Sequence, residues 1–351
     1  MRLETWHIEG NGFHFGMHGM GQEESRTHLP SDSLFAAIVA RIAERCTPGQ
    51  VETFVAPFQE GTPPFVLSSV FPCAGKVRLF PAPLQLPSGS RADDAPNRKK
   101  LQKVAWVSEK VFRELLTGTP LASVYQDAGE EGRLHKGTVL VSADEYPQLP
   151  DQVHESGHIW KVERRPRVTI GRAAMNSQLY FTGRTVFNSQ CGLWFAVRWL
   201  SGPDLLVHDW AGLLADLGDA GLGGERSAGF GASTISAAGP IDLPDADAHL
   251  WVSLSRYLPA GDEMAALAHE RAAYSVERVA GWVGSPNSKN ERRRVVTLLR
   301  EGAVLGAVDK PVPGQIVDVR PSYPPANPDP LGHAVWRNGQ ALAVGYEGGP
   351  A

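Results

Sequence analysis

Residues 218–231 hold six glycines around Arg226 and Ser227, and they constrain whatever the neighbouring chain builds. Glycine at this density marks backbone that turns through φ > 0 or is closely approached by another group. Both uses suit a cradle for a ligand rich in phosphate or sugar oxygens. A plain connecting loop fits the glycines equally well. No Gly-Lys-Ser/Thr follows, so this is not a Walker loop, and it does not lead from a strand into a helix as a dinucleotide fingerprint does. Leu206, Trp210, Leu213, Leu214 and Leu217 have helical spacing before it, and 232–237 reads as a strand after it. The loop therefore joins a helix to a strand.

A chain of 351 residues favours about two domains. A net charge of −4 argues against a protein that coats nucleic acid with its whole surface, but not against a local basic groove. No secretory leader is expected, and the longest apolar run, 34–40, is far shorter than the roughly 18 residues of a membrane span. Cys46, Cys73 and Cys191 are scattered, which excludes a zinc ribbon or disulfide framework and fits the cytoplasm. No acidic residues fall at metal-ligand spacing, so neither metal nor cofactor is expected.

A first strand over 2–8 leads into a second glycine-dense loop, 10–21, which interleaves Phe13, His14, Phe15, Gly16 and His18. Rings beside permissive backbone suit base stacking and sugar contacts, although histidines with only local hydrogen bonds are the plainer reading. Ser31 or Asp32 can cap a helix that carries Leu34, Phe35, Ile38, Val39 and Ile42 on one stripe. Its N-terminus, with Ser33 in the first turn, would be a natural phosphate seat. Strands are expected over 65–71 and 77–80, a surface loop over 81–96, a basic run at Arg98, Lys99, Lys100 and Lys103, and a helix over 108–116; the pattern over 118–157 is weak.

Residues 161–187 are the most basic part of the chain, with Lys161, Arg164, Arg165, Arg167, Arg172 and Arg184 against Glu163. Strand-like runs at 167–170 and 179–182 flank a tip, 171–178, that contains Arg172 and Asn176, which describes a basic β-hairpin. The run 192–200 is apolar on both faces and reads as a central strand. After Pro240 the composition resets, giving an N-terminal domain, 1–240, and a C-terminal domain, 241–351. The latter should hold strands over 250–258, 276–283, 294–305, 316–319 and 335–346, a helix over 262–274, and a basic cluster at Lys289, Arg292, Arg293 and Arg294. Strand–helix–strand–strand order in both halves predicts an α+β protein of two ferredoxin-like units.

These pieces resemble, in order, the RAMP proteins of CRISPR effector complexes, and most closely the fourth-subunit family of the type III-A Csm complex. The matching stretches are 13–16 with 19–21, 31–35, 67–71, 168–172 with Asn176 and Ser177, 221–231, 281–285, 292–294 and 301–302. Gly171 departs from the pattern, where an acidic residue is expected before the arginine. The resemblance implies a non-catalytic subunit that grips the repeat-derived 5′ tag of crRNA. It also implies docking to the large Csm subunit and to a backbone RAMP subunit, with the hairpin as a thumb against the guide–target RNA duplex. The RNA-contacting set is then Phe13, His14, Gly16, His18, Ser31, Ser33, Arg167, Arg172, Asn176, Arg184, Gly223, Gly224, Arg226, Ser227, Gly229, Phe230, Gly231, Arg292 and Arg293. The competing expectation is a RAMP endoribonuclease with His14 or His18 as general base; its glycine loop would lie nearer the C-terminus.

Overall fold

The computed structural model describes residues 1–16, 24–84, 99–171, 176–201, 209–246, 249–283, 291–323 and 331–348, without the side chains of 169–171 and 176–178. His18, Arg172 and the Asn176 side chain lie outside it. The strands are β1 (Arg2–Gly10), β2 (Phe65–Leu67), β3 (Phe71–Ala74), β4 (Val77–Pro81), β5 (Trp106–Ser108), β6 (Arg133–Leu134), β7 (Val139–Leu140), β8 (Trp160–Gly171), β9 (Asn176–Phe187), β10 (Cys191–Trp199), β11 (Ser233–Asp242), β12 (Leu250–Ser253), β13 (Val276–Val279), β14 (Val296–Leu299), β15 (Val304–Gly306), β16 (Ile316–Asp318), β17 (Trp336–Asn338) and β18 (Ala343–Tyr346). The helices are α1 (Ser31–Arg45), α2 (Pro48–Gln59), α3 (Glu109–Leu116), α4 (Leu121–Asp127), α5 (Asp151–Ser156), α6 (Trp210–Ala220) and α7 (Met264–Leu267).

A strand that is apolar on both faces needs cover on both sides. In β10, Leu193, Phe195 and Val197 face a core shared with Leu34, Phe35 and Ile38 of α1 and Leu214 and Leu217 of α6. Trp194 and Ala196, one residue out of phase, face a second core with Phe80, Phe112, Leu116, Tyr125 and Val153. The weakly patterned stretch 118–157 is therefore no loose insertion: its short elements close the second core. Phe80 stacks on Phe112 with centroids 4.5 Å apart.

β10 pairs antiparallel with β1 on one side and with β2 and β3 on the other, and β11 pairs with the free edge of β1. The order β11–β1–β10–β3, with α1 after β1 and α6 after β10, is a β-α-β-β-α-β arrangement. It sets the end of β1 and the start of β11 side by side, and so brings together the two glycine-dense loops attached there.

Residues beyond 241 depart from the four-stranded unit with two helices that their sequence order suggests. The described strands form a three-stranded sheet, β15–β12–β18, and two separate pairs, β13–β14 and β16–β17. Ala273 reaches the free edge of β15 through a single bridge to Val304. Ala273 exchanges both backbone hydrogen bonds with Val304, at 2.9 Å each, so the helix expected to run to residue 274 cannot include it; α7 already ends at Leu267. Between β15 and β18, Pro311, Pro313 and Gly314 oppose a second helix, and the β16–β17 pair occupies the interval instead.

β8 and β9 pair antiparallel over twelve residues each, well beyond the expected strands. Period-two alternation gives the ribbon unlike faces. Pro166 opposite Phe181 and Val168 opposite Leu179 lie on one of them, with Val168 57% and Leu179 60% exposed. Arg165, Arg167 and Arg184 belong to the other.

Candidate nucleic-acid interface

The chain leaves α6 at Gly221, whose φ of +83° few side chains adopt, and turns into the glycine loop. Two apolar anchors hold that loop: Leu222 is fully buried and Phe230 nearly so. The Leu222 amide donates to the Gly231 carbonyl at 2.9 Å and closes the loop's mouth. Between the anchors, Gly223, Gly224, Arg226, Ser227 and Gly229 are exposed. Arg226–Ala228 form one 3₁₀ turn, entered through Glu225 at φ +57° and left through Gly229 at φ +83°. Not every amide here is open to a ligand. Those of Gly221, Leu222, Gly224, Ala228, Gly229, Phe230 and Gly231 already bond to backbone carbonyls, while Gly223 and Glu225 have no such bond among the described residues. The loop therefore offers a few amides and two exposed polar side chains, fewer donors than the glycine count suggests.

The loop rests on residues 12–16. The Gly231 amide donates to Gly12, and the Gly224 amide to His14, each at 2.9 Å. A Cβ at Gly223 would come within 2.5 Å of the His14 carbonyl, so close approach there is between two backbones. Phe13 in turn exchanges both backbone hydrogen bonds with Thr185 of β9, at 2.9 and 2.8 Å. The His14 ring is buried, with Nδ1 2.7 Å from the Gly183 carbonyl. Phe13 is fully buried and stacks on Phe15 at 5.3 Å. This corrects two expectations: Phe13 has no free ring face for a base, and His14 braces the hairpin base. Gly16 is exposed and pairs with Ser25.

Arg167 and Arg184 are brought to the loop from the hairpin. Each guanidinium carbon lies 5.2 Å from the Phe230 ring centroid, so one aromatic ring orients two cations. Arg184 also donates to the Asn11 carbonyl. Thr182 Oγ1, beneath them, is buried without a hydrogen-bond partner among the described residues. The result is a rim of exposed Arg226 and Ser227 beside two partly buried arginines.

The start of α1 is not part of this rim. Its N-cap is Pro30, and the Ser31 amide accepts no ligand because it donates to Ser69 Oγ at 2.8 Å. Ser31 Oγ accepts from the Arg256 amide at 2.9 Å, and Asp32, 1% exposed, pairs with Arg337 at 2.8 Å. Arg337 also reaches Ser33 Oγ at 3.3 Å. A carboxylate buried in the first turn already answers the helix dipole and would repel a phosphate. Ser31 and Ser33 thus join the two halves of the chain. Arg293 is directed the same way: burial and nearby Arg337 pull its guanidinium down to about 10, although Asp32 opposes the shift. Arg292, next to it, is exposed.

Around Ser31 lies a buried ion cluster that the sequence alone does not announce. Arg256, 1% exposed, bonds to Glu301 at 3.1 Å and to Glu277 at 2.8 Å. Arg26 adds a forked contact to Glu277, and Ser69 Oγ donates to Glu301 at 2.6 Å. Burial alone would push the Glu277 carboxyl up, but the hydrogen bonds and charges of Arg26 and Arg256 hold it at about 2. His28 stands 3.8 Å from Glu301, which favours its charged form, yet burial, with Arg256 and Arg26 nearby, wins and lowers it to about 4. Positions 26, 28, 256, 277 and 301 have no shared spacing, so only the tertiary fold collects them.

The family profile of the CRISPR Csm4 C-terminal domain matches residues 246–346. A Csm4 protein of the CRISPR system of Mycobacterium tuberculosis is 27% identical over 327 residues, covering 91% of this chain and 92% of its own. The chain is similar to Csm4 proteins over nearly its whole length. Its fold agrees: a chain in the crystal structure of a Csm3–Csm4 subcomplex of the type III-A CRISPR–Cas interference complex superposes with a TM-score of 0.63 at 17% identity, covering 99% of this chain and 100% of that one. A chain of a Csm1–Csm4 cassette crystallised with pppApA gives 0.57 at 17% identity, with full coverage of both. In this chain the glycine loop, residues 12–16 and the hairpin base are one connected body.

Proposed function

We propose that this chain is a non-catalytic RNA-binding subunit of a cytoplasmic type III-A Csm complex that grips the 5′ tag of crRNA. The observation that carries the reading is the exposed Arg226–Ser227 turn on a loop fastened to the base of a basic hairpin. In this reading Arg226, Ser227 and the open amides of Gly223 and Glu225 take the tag, and Arg167 and Arg184 neutralise its backbone. The exposed Val168–Leu179 face of the hairpin meets target RNA paired to the guide. The large Csm subunit and a backbone RAMP subunit flank the chain, a partnership supported by the relatives crystallised with Csm1 and with Csm3. The division of labour follows a boundary near 240, supported by the end of β11 at Asp242 and the start of the family match at 246.

The His14 ring, buried and bonded to a carbonyl, favours a scaffold over a nuclease. The test is binding of labelled RNA that carries either the tag or a scrambled tag. Arg226→Ala removes a charged hydrogen bond worth about 1.5–3 kcal/mol, so tag affinity should fall roughly ten- to hundredfold. Equal losses for tagged and scrambled RNA would mean that the loop holds backbone only. Metal-independent, site-specific cleavage of repeat RNA by the purified chain would overturn the scaffold reading.

A further inference from the structure

A patch on the C-terminal half is left unused by the site above. Trp282 is 56% exposed and forms an antiparallel bridge with Arg292. The Arg292 guanidinium carbon sits 4.8 Å from the indole centroid. The bridge is held on both sides: the Arg293 amide donates to Gly281 at 2.9 Å, and the Val283 amide to Glu291 at 2.8 Å. Val283 is buried below it. A large aromatic ring is thus presented to solvent on a fixed two-stranded rung with a cation over it.

We propose that Trp282 and Arg292 form a stacking platform for an unpaired nucleotide of the bound RNA. The inference rests on the RNA-binding reading and adds a second contact, distant in sequence from the tag grip. Every base has a π-face, so an exposed indole accepts any of them, and a guanidinium beside the ring can reach the attached phosphate. Charge selects RNA over an apolar protein partner. Arg278, Arg292 and Arg294 are exposed around the patch. The Glu277 carboxylate points the other way, into Arg26 and Arg256, and Glu291 is partly buried against the Tyr323 hydroxyl. The outward field is therefore cationic, which suits a polyanion.

Glu277, five residues before Trp282, is tied to the glycine loop by a chain of contacts. The Gly224 amide bonds to His14; the next residue, Phe15, accepts from the Arg26 amide at 2.9 Å; and the Arg26 side chain grips Glu277 of β13.

The test uses the full chain and tag-bearing RNA with 5-iodouridine placed at successive positions outside the tag. Irradiation and peptide mapping should give an adduct at Trp282 for one narrow window of positions. Trp282→Ala should weaken binding of that RNA about tenfold, while Trp282→Phe, which keeps a ring, should recover most of the loss. A thermal midpoint equal to the parent's for both variants would show that the exposed side chain is not needed for folding. Arg226→Ala should lose tag preference yet keep the adduct. If the parent binds RNA, Arg226→Ala weakens it and Trp282→Ala does not, the platform is overturned and the tag grip stands. Loss of partner-subunit binding in Trp282→Ala with RNA affinity unchanged overturns it too, in favour of a protein-docking face. If the parent shows no RNA binding at all, the function reading itself falls.

Discussion

Two glycines of the same loop give a test of what their lack of a side chain is for. Gly229 and Gly231 have nearly equal φ, +83° and +82°. An alanine at either position meets the left-handed penalty of roughly 1–2 kcal/mol. Their surroundings differ: a Cβ at Gly229 finds nothing within 4 Å, whereas at Gly231 it falls 2.1 Å from the Leu222 carbonyl oxygen. Backbone must then separate, and the hydrogen bonds Leu222 to Gly231 and Gly231 to Gly12 open. At about 1 kcal/mol each, Gly231→Ala should cost about 3–4 kcal/mol against about 1–2 for Gly229→Ala. A chain with several sheets need not unfold in one step, so amide exchange is the better assay. The additional 2 kcal/mol corresponds to roughly thirtyfold faster exchange of the Leu222 amide in Gly231→Ala than in Gly229→Ala. Tag RNA affinity should fall in the same order. Equal exchange in the two variants would refute the close-approach argument and leave only the backbone conformation.

Replacing the buried Glu301 by Gln leaves Arg256 with one carboxylate; unfolding should become easier by about 3 kcal/mol, read from urea midpoints of parent and variant. The folded-state pKa of Glu277 is depressed from 4.5 to about 2, so its contribution is full above pH 4.5 and lost as pH falls toward 2. Glu277→Gln should flatten the acid limb of a thermal-midpoint profile across that range. For His28, lowered from 6.5 to about 4, the unfolded chain takes up the proton first, so stability declines as pH falls from 6.5 to 4. His28→Phe should remove that slope, and an unchanged slope would place its origin elsewhere. Phe112→Ala, which deletes a fully buried ring stacked on Phe80, should cost about 3–5 kcal/mol in calorimetry or urea unfolding.

Much of this was legible in the residues. The alternation in β10 and the helical stripes of α1 and α6 foretell the central sheet, because each periodicity requires a buried face. The two glycine-dense loops are visible for the same local reason. Their partnership is not, since it follows from β1 and β11 pairing across more than two hundred residues. Local reading also misassigned side chains there. Phe13, a residue suited to stacking, is consumed by the core, and Ser31 and Ser33 meet Arg256 and Arg337 from the far end of the chain. The hairpin strands were underestimated because their lysines and arginines conceal the alternation. The far end of the helix expected over 262–274 is taken by the Ala273–Val304 bridge, a nonlocal pairing that no window of sequence contains.

The short run Gly12–His14 is an axle with a load on either side. On one side Phe13 is paired to β9 of the hairpin; on the other, the carbonyls of Gly12 and His14 carry the glycine loop. A displacement of the hairpin base would act on the loop through the backbone of these three residues. By linkage, whatever the hairpin touches must change the loop's hold on its cargo by the same factor as the cargo changes the hairpin's affinity. On the proposed RNA-binding reading, the hairpin and the glycine loop therefore report on each other.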